Sequence, residues 1–181
     1  YNALIDNVEI RNSWRAIEMT TDSTDVSKGN FVQDSYIHDT YFEGVRTGGY
    51  GHTYQRNLVE NISVKPGLGS DTTGWNFMAF LANWGLNNIK QNIIRNIGYA
   101  AIDFHSKGVI EENLIQDVSL KLNDGCAICG DGMTLGTIIR NNIIDGAHGN
   151  IDGVPTSFIH AEPIGSGIST GENVNTDIEI Y

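Results

Sequence analysis

Proline is scarce in this chain, at 3 of 181 residues, and cysteine scarcer still, at 2. Lys and Arg together number 11 against 22 Asp and Glu, which leaves a net charge of −11. That deficit argues against nucleic acid as a partner, because a phosphate backbone demands a basic surface. It argues equally against docking on anionic membranes. No apolar run is long enough to span a bilayer, so no membrane insertion is expected. No window holds a sustained helical period, so a strand–helix–strand crossover has nowhere to fit. With proline rare and isoleucine abundant, strands should dominate. The charge balance suits neutral sugars or bound cations, whereas an acidic polysaccharide would need a local basic site or calcium.

What the chain does have is a repeat. The stretch Gln91-Asn-Ile-Ile-Arg-Asn96 recurs as Asn7-Val-Glu-Ile-Arg-Asn12, Asp34-Ser-Tyr-Ile-His-Asp39, Asn61-Ile-Ser-Val-Lys-Pro66, Glu112-Asn-Leu-Ile-Gln-Asp117 and Asn141-Asn-Ile-Ile-Asp-Gly146. Its fourth residue is always aliphatic: Ile10, Ile37, Val64, Ile94, Ile115 and Ile144. Five residues upstream stands a second set, Ile5, Val32, Val59, Ile89, Ile110 and Ile139. A period of roughly 21 to 30 residues marks a solenoid. Short Ile- and Val-rich runs broken by Asn, Asp and Gly are strands with turn punctuation. A coil of strands alone, with successive turns pairing in parallel, satisfies both observations. Asn92, Asn113 and Asn142 hold the same place in three consecutive turns, about 4.8 Å apart when stacked. That spacing predicts a ladder of side-chain hydrogen bonds.

This pattern resembles the right-handed parallel β-helix proteins of the pectate lyase-like superfamily, over nearly the whole chain. The resemblance implies an all-β fold, a right-handed parallel β-helix (solenoid) of about six to seven turns. Residues 1–181 are expected to form a single such domain. The chain opens in repeat sequence at Asn2-Ala-Leu-Ile-Asp-Asn7 and ends in Asp177-Ile-Glu-Ile-Tyr181, where Ile180 matches the Ile139 position. It is therefore expected to be truncated at both ends and to adjoin the rest of a parent β-helix. The run Lys121-Leu-Asn-Asp-Gly-Cys-Ala-Ile128, followed by Gly136-Thr-Ile-Ile-Arg-Asn-Asn142, is similar to one in bacterial exported β-helix proteins, many of them carbohydrate-active. That implies a secreted or cell-surface location and a polysaccharide partner. The polygalacturonase motifs do not occur in order, and the Arg-x-Pro-x-x-Arg run of pectate lyases is missing, so no catalytic residue carries over from either family.

The site is read from the third strand of each turn, taken as Ala16-Ile17, Gly44-Val45, Phe77-Met78, Ala101-Ile102, Ala127-Ile128 and Gly167-Ile168. Side chains alternate in a strand. With the second residue of each pair inward, Glu18, Arg46, Ala79, Asp103, Cys129 and Ser169 form one outward column. Thr20, Gly48, Leu81, His105, Asp131 and Gly171 form the next. Asp103, His105 and Asp131 are then the candidate catalytic residues. Two carboxylates about 6.5 to 9.5 Å apart can flank a glycosidic bond with room for water. For elimination in place of hydrolysis, His105 or Lys107 would be the base, and Arg46 or a cation would neutralise a uronate. Trp75 and Trp84 flank the third-turn strand and offer aromatic faces to sugar rings. The expected substrate-binding residues are thus Arg46, Trp75, Trp84 and Lys107. The small residue before each inward one is expected to face out, where it lets a ligand lie close to the sheet or marks a tight corner.

Metal readings are weaker. Cys126-Ala-Ile-Cys129 has no second pair, and residues three apart in a strand face opposite ways, so a zinc site is rejected. By the same geometry the two cysteines are expected to be free thiols. Calcium is the one cofactor the acidic loops allow, through Asp22, Asp25, Asp71, Asp124, Asp131 and Asp152. Two functions fit these features. One is a carbohydrate-active enzyme, a glycoside hydrolase or polysaccharide lyase working in a groove on the solenoid face. The other is a non-catalytic β-helix, an adhesin, fibre or tailspike segment.

Overall fold

The computed structural model describes residues 3–20, 25, 29–66, 77–122, 125–130 and 136–148, together with the backbone of strands at 166–169 and 179–180. Every regular element among them is a strand. In chain order these are β1 (Leu4–Asp6), β2 (Glu9–Arg11), β3 (Arg15–Thr20), β4 (Phe31–Gln33), β5 (Tyr36–His38), β6 (Glu43–Gln55), β7 (Leu58–Ile62), β8 (Phe80–Lys90) and β9 (Ile93–Ile97). They continue as β10 (Ile102–Phe104), β11 (Lys107–Glu111), β12 (Leu114–Val118), β13 (Cys126–Cys129), β14 (Ile138–Arg140), β15 (Ile143–Ala147), β16 (Ser166–Ser169) and β17 (Glu179–Ile180). All pairings are parallel, in one sheet of 11 strands and one of 6. The smaller sheet, β2-β5-β7-β9-β12-β15, is built from the hexamers.

The registers make three columns, and their members up to Ile139, Ile144 and Ile128 face one shared core. The first runs Ile5, Val32, Tyr54, Ile89, Ile110, Ile139 and Ile180. The second runs Ile10, Ile37, Val59, Ile94, Ile115 and Ile144. The third runs Ile17, Val45, Phe80, Ile102, Ile128 and Ile168. Each column lies on every turn, so apolar burial repeats along the axis and each turn is buried by its neighbours.

Three positions in the third turn correct the sequence expectation. Val59 stands in the second column and not the first, Tyr54 takes the first-column place, and Val64 lies outside the strands. On the third strand Phe80 is the core residue in place of Met78. The cause is one substitution of kind. Tyr54 and Phe80 fill inward slots that hold aliphatics in most other turns, and a search for aliphatics passes over both. Both are fully buried and meet edge to face, with ring centroids 5.8 Å apart.

The hexamer has a backbone cause. Its first residue is left-handed in every turn, with φ between 50° and 57° at Asn7, Asp34, Arg56, Gln91, Glu112 and Asn141. Its last residue is left-handed too, at Asn12, Asp39, Asn61, Asn96, Asp117 and Gly146. Asn, Asp and Gly tolerate that region best, which is why they hold the last position in every turn and the first in half of them. Behind the first bend runs the expected ladder. Asn92 Nδ2 donates to Asn113 Oδ1 at 3.0 Å, and Asn113 Nδ2 to Asn142 Oδ1 at 2.9 Å. Each Oδ1 also accepts the backbone N–H of the preceding rung, from Asn92 and Asn113 respectively. The ladder reaches further than expected, through Asn57 to Ser35.

Candidate functional site

On the third strand the alternation of side chains fails, and the failure shapes the site. Ala101 and Ile102 are both fully buried in the main core, as are Ala79 with Phe80 and Ala127 with Ile128. Two consecutive inward residues leave the residues on either side, three apart in sequence, both facing out. Arg15 and Glu18 flank Ala16 and Ile17 in this way and meet at 2.6 Å. Cys126 and Cys129 hold the same two places and are joined by a disulfide, with Cα atoms 5.5 Å apart. A regular strand would hold those Cα atoms about 10 Å apart. The expectation of free thiols therefore gives way to a bridged pair. The small residues are corrected with it. With the third turn re-registered they are Ala16, Gly44, Ala79, Ala101, Ala127 and Gly167, and those at 79, 101 and 127 face the core. A Cβ on Gly44 would fall 2.5 Å from the Ala79 carbonyl oxygen, so the doubled inward step is a tight corner and not a ligand shelf.

The corrected outward column runs Glu18, Arg46, Leu81, Asp103 and Cys129, with Leu81 where Ala79 was expected, and the backbone register continues from Cys129 to Ser169. Asp103 thus has Leu81 on one side and Cys129 on the other, and it is 8% exposed. His105 lies beyond it on the same face, its Nε2 3.0 Å from Asp103 Oδ2. A carboxylate there accepts from the ring and so places the proton of the neutral imidazole on Nε2. Asp131 and Trp75 lie outside the described residues, as do Asp22, Asp71, Asp124 and Asp152 among the calcium candidates.

The remaining predicted residues surround this pair at different ranges. Trp84 is 39% exposed, edge-on to Tyr50 at 6.2 Å, and its indole covers Gly48. Its carbonyl oxygen accepts from Asn87 Nδ2, which also donates to Ser106 Oγ, beside His105. Lys107 is exposed, pairs with Leu86 across the corner, and runs along Gly136. Arg46 is separated from Asp103 by Leu81, two strand spacings or about 10 Å.

Sequence reasoning missed a second charged focus on this face. Glu43 is fully buried, accepts a hydrogen bond from Arg15 Nε, and leaves Oε1 without a partner. Burial lifts its carboxyl above the ordinary range, although Arg15 and Arg46 pull the other way. Beside it stands an aromatic stack, Trp14 on Phe42 at 4.8 Å and Phe77 edge-on to Phe42 at 5.6 Å. The stack was legible: Trp14, Phe42, Phe77 and Tyr99 each stand three residues before a third-column residue. Reading Phe77 as part of the strand hid it. Between the two charged foci Met78, Leu81, Tyr99 and Ala100 form a small apolar cluster outside the main core, with Phe77, Leu122 and Cys129 against it.

This face can therefore offer one carboxylate–imidazole unit for proton transfer, flanked by apolar and aromatic surface and by two arginines. Comparison with known protein families, with curated proteins and with solved structures found no match for this chain.

Proposed function

We propose that the chain is a right-handed parallel β-helix of about six to seven turns from an exported bacterial protein, and that it degrades a polysaccharide. The substrate lies across the outward face of the third strands, and Asp103 with His105 is the acid–base unit. The observation that carries this reading is their 3.0 Å contact on an outward column. A glycosidic bond needs a proton delivered to its leaving oxygen. The Asp103–His105 pair delivers it as the C–O bond breaks, a water adds to the anomeric carbon while its proton passes to a second carboxylate, and the pair regains its proton from solvent. Trp14, exposed and backed by Phe42, supplies an apolar surface for the C–H faces of sugar rings. The net charge of −11 favours a neutral polymer, and hence hydrolysis over elimination.

The test is a panel of neutral and uronate polysaccharides, read by new reducing ends and by the absorbance of unsaturated uronates. Reducing ends alone indicate hydrolysis, with Asp131 the expected second carboxylate. Unsaturated products indicate elimination, with His105 the base and Arg46 neutralising the uronate. If nothing is cut, the non-catalytic binding reading replaces both. The low exposure of Asp103 is the observation that favours that alternative.

A further inference from the structure

The outer face of the six-stranded sheet carries a second constellation. Successive strands place Tyr36, Leu58, Ile93, Leu114 and Ile143 in one column. Ile93 is 42% and Ile143 64% exposed. Beside it runs a polar column, His38, Glu60, Arg95, Gln116 and Asp145. At one end of the apolar column is a surface pocket walled by Glu9, Asp34, Tyr36, Arg56 and Leu58. Tyr36 stacks on His38 with centroids 3.9 Å apart, and its hydroxyl donates to Glu60. That hydrogen bond, with burial, pushes the Tyr36 pKa up to about 12, so the hydroxyl stays a donor.

Charge on this face is balanced pair by pair. Arg11 meets Glu9 at 3.4 Å, Arg56 meets Asp34 at 2.7 Å, Arg95 meets Glu60 at 2.5 Å and Lys65 meets Asp39 at 3.9 Å. His38 bridges Glu9 and Asp39, at 3.2 and 2.7 Å. Among the described residues a polyanion finds no surplus cation here, and a polycation finds little surplus carboxylate. What remains is fixed donors and acceptors beside an apolar strip that repeats about every 4.8 Å. That combination matches a neutral hydroxylated polymer, whose rings present C–H faces to the strip and hydroxyls to the paired charges.

We propose that this face is a second carbohydrate site, a non-catalytic track for a neutral polysaccharide that starts in the pocket at Tyr36 and follows Leu58, Ile93, Leu114 and Ile143. It rests on the carbohydrate reading only for the class of ligand, since it lies on a different sheet from Asp103 and needs none of its chemistry. The test is native affinity electrophoresis in gels containing β-glucan, arabinoxylan or galactomannan, with polygalacturonate as the anionic control. The parent protein should be retarded by at least one neutral polymer and not by polygalacturonate. Ile93→Ser with Ile143→Ser, both at exposed positions, should weaken that binding tenfold or more while the thermal melt is unchanged. Tyr36→Ala should weaken it as well. The track is overturned if no neutral polymer retards the protein, if polygalacturonate retards it more strongly, or if Ile93→Ser with Ile143→Ser leaves retardation at the level of the parent. Cleavage of a polymer without retardation would sink the track and leave the catalytic reading standing.

Discussion

The bend before the hexamer and the corner at the third strand solve the same problem in opposite ways. At the hexamer the ladder amides are paired: Asn57, Asn92 and Asn113 each use the amide nitrogen twice, and the amide oxygen accepts twice at Asn92 and Asn113 and once at Asn57. At the third strand the alternation breaks, two residues in succession turn inward, and Glu43 is buried with one oxygen unpaired. A saturated network rigidifies and specifies register. A broken one costs stability and leaves groups with unspent chemistry. The difference separates scaffold from site within one repeat.

Breaking the scaffold should have the largest effect. Asn113→Leu removes the acceptor for two donors of Asn92 and strands the Ile89 carbonyl. The loss should be about 1–3 kcal/mol, read in a denaturant melt. A neutral result would mean the ladder does not bear on stability. The third-strand corner is tested next by Ala101→Val. If both Ala101 and Ile102 face the core, the extra bulk overpacks it and costs roughly 1–2 kcal/mol. If the alternation held, Ala101 would face out and the change would be silent.

Glu43 gives a smaller, pH-dependent effect. Burial raises its folded pKa above the ordinary 4.5. Its contribution to stability is then fully present below the unfolded pKa and is lost as pH rises through the folded one. Glu43→Gln should flatten the fall in melting temperature over that interval, with the two proteins diverging as pH rises from 4.5. Parallel melting curves across the interval would show that Glu43 is ionised in the fold at no cost.

How far the sequence could be read follows the same division. The columns through Ile89, Ile94, Ile110, Ile115, Ile139 and Ile144 were legible because aliphatic residues recur there at fixed spacing. The three ladder asparagines were legible for the same reason. Asn57 was not, because the third unit was aligned on Asn61 when Tyr54 interrupted the aliphatic rule. Asp103 and His105 do meet, since both lie after the break and ordinary alternation holds from Ile102 onward, but Asp103 is buried where an exposed face was expected. What lies before the break was misplaced. Strand parity makes Cys126 and Cys129 point apart, and only the doubled inward step turns both outward. The recurring small residue before each inward one was the visible trace of that step. It was read as a surface feature because nothing in a single sequence says which side of a strand is inside.

The division itself is tested most directly by one pair of variants, assayed on whichever polysaccharide of the panel is found to be cut. Turnover and thermal melts would be measured for Asp103→Asn and for Asn113→Leu. If the third-strand face is the active one, Asp103→Asn loses most of its turnover and melts like the parent. Asn113→Leu melts lower but keeps its turnover at temperatures where it is folded. Full activity in Asp103→Asn would contradict the assignment and move the chemistry off this face.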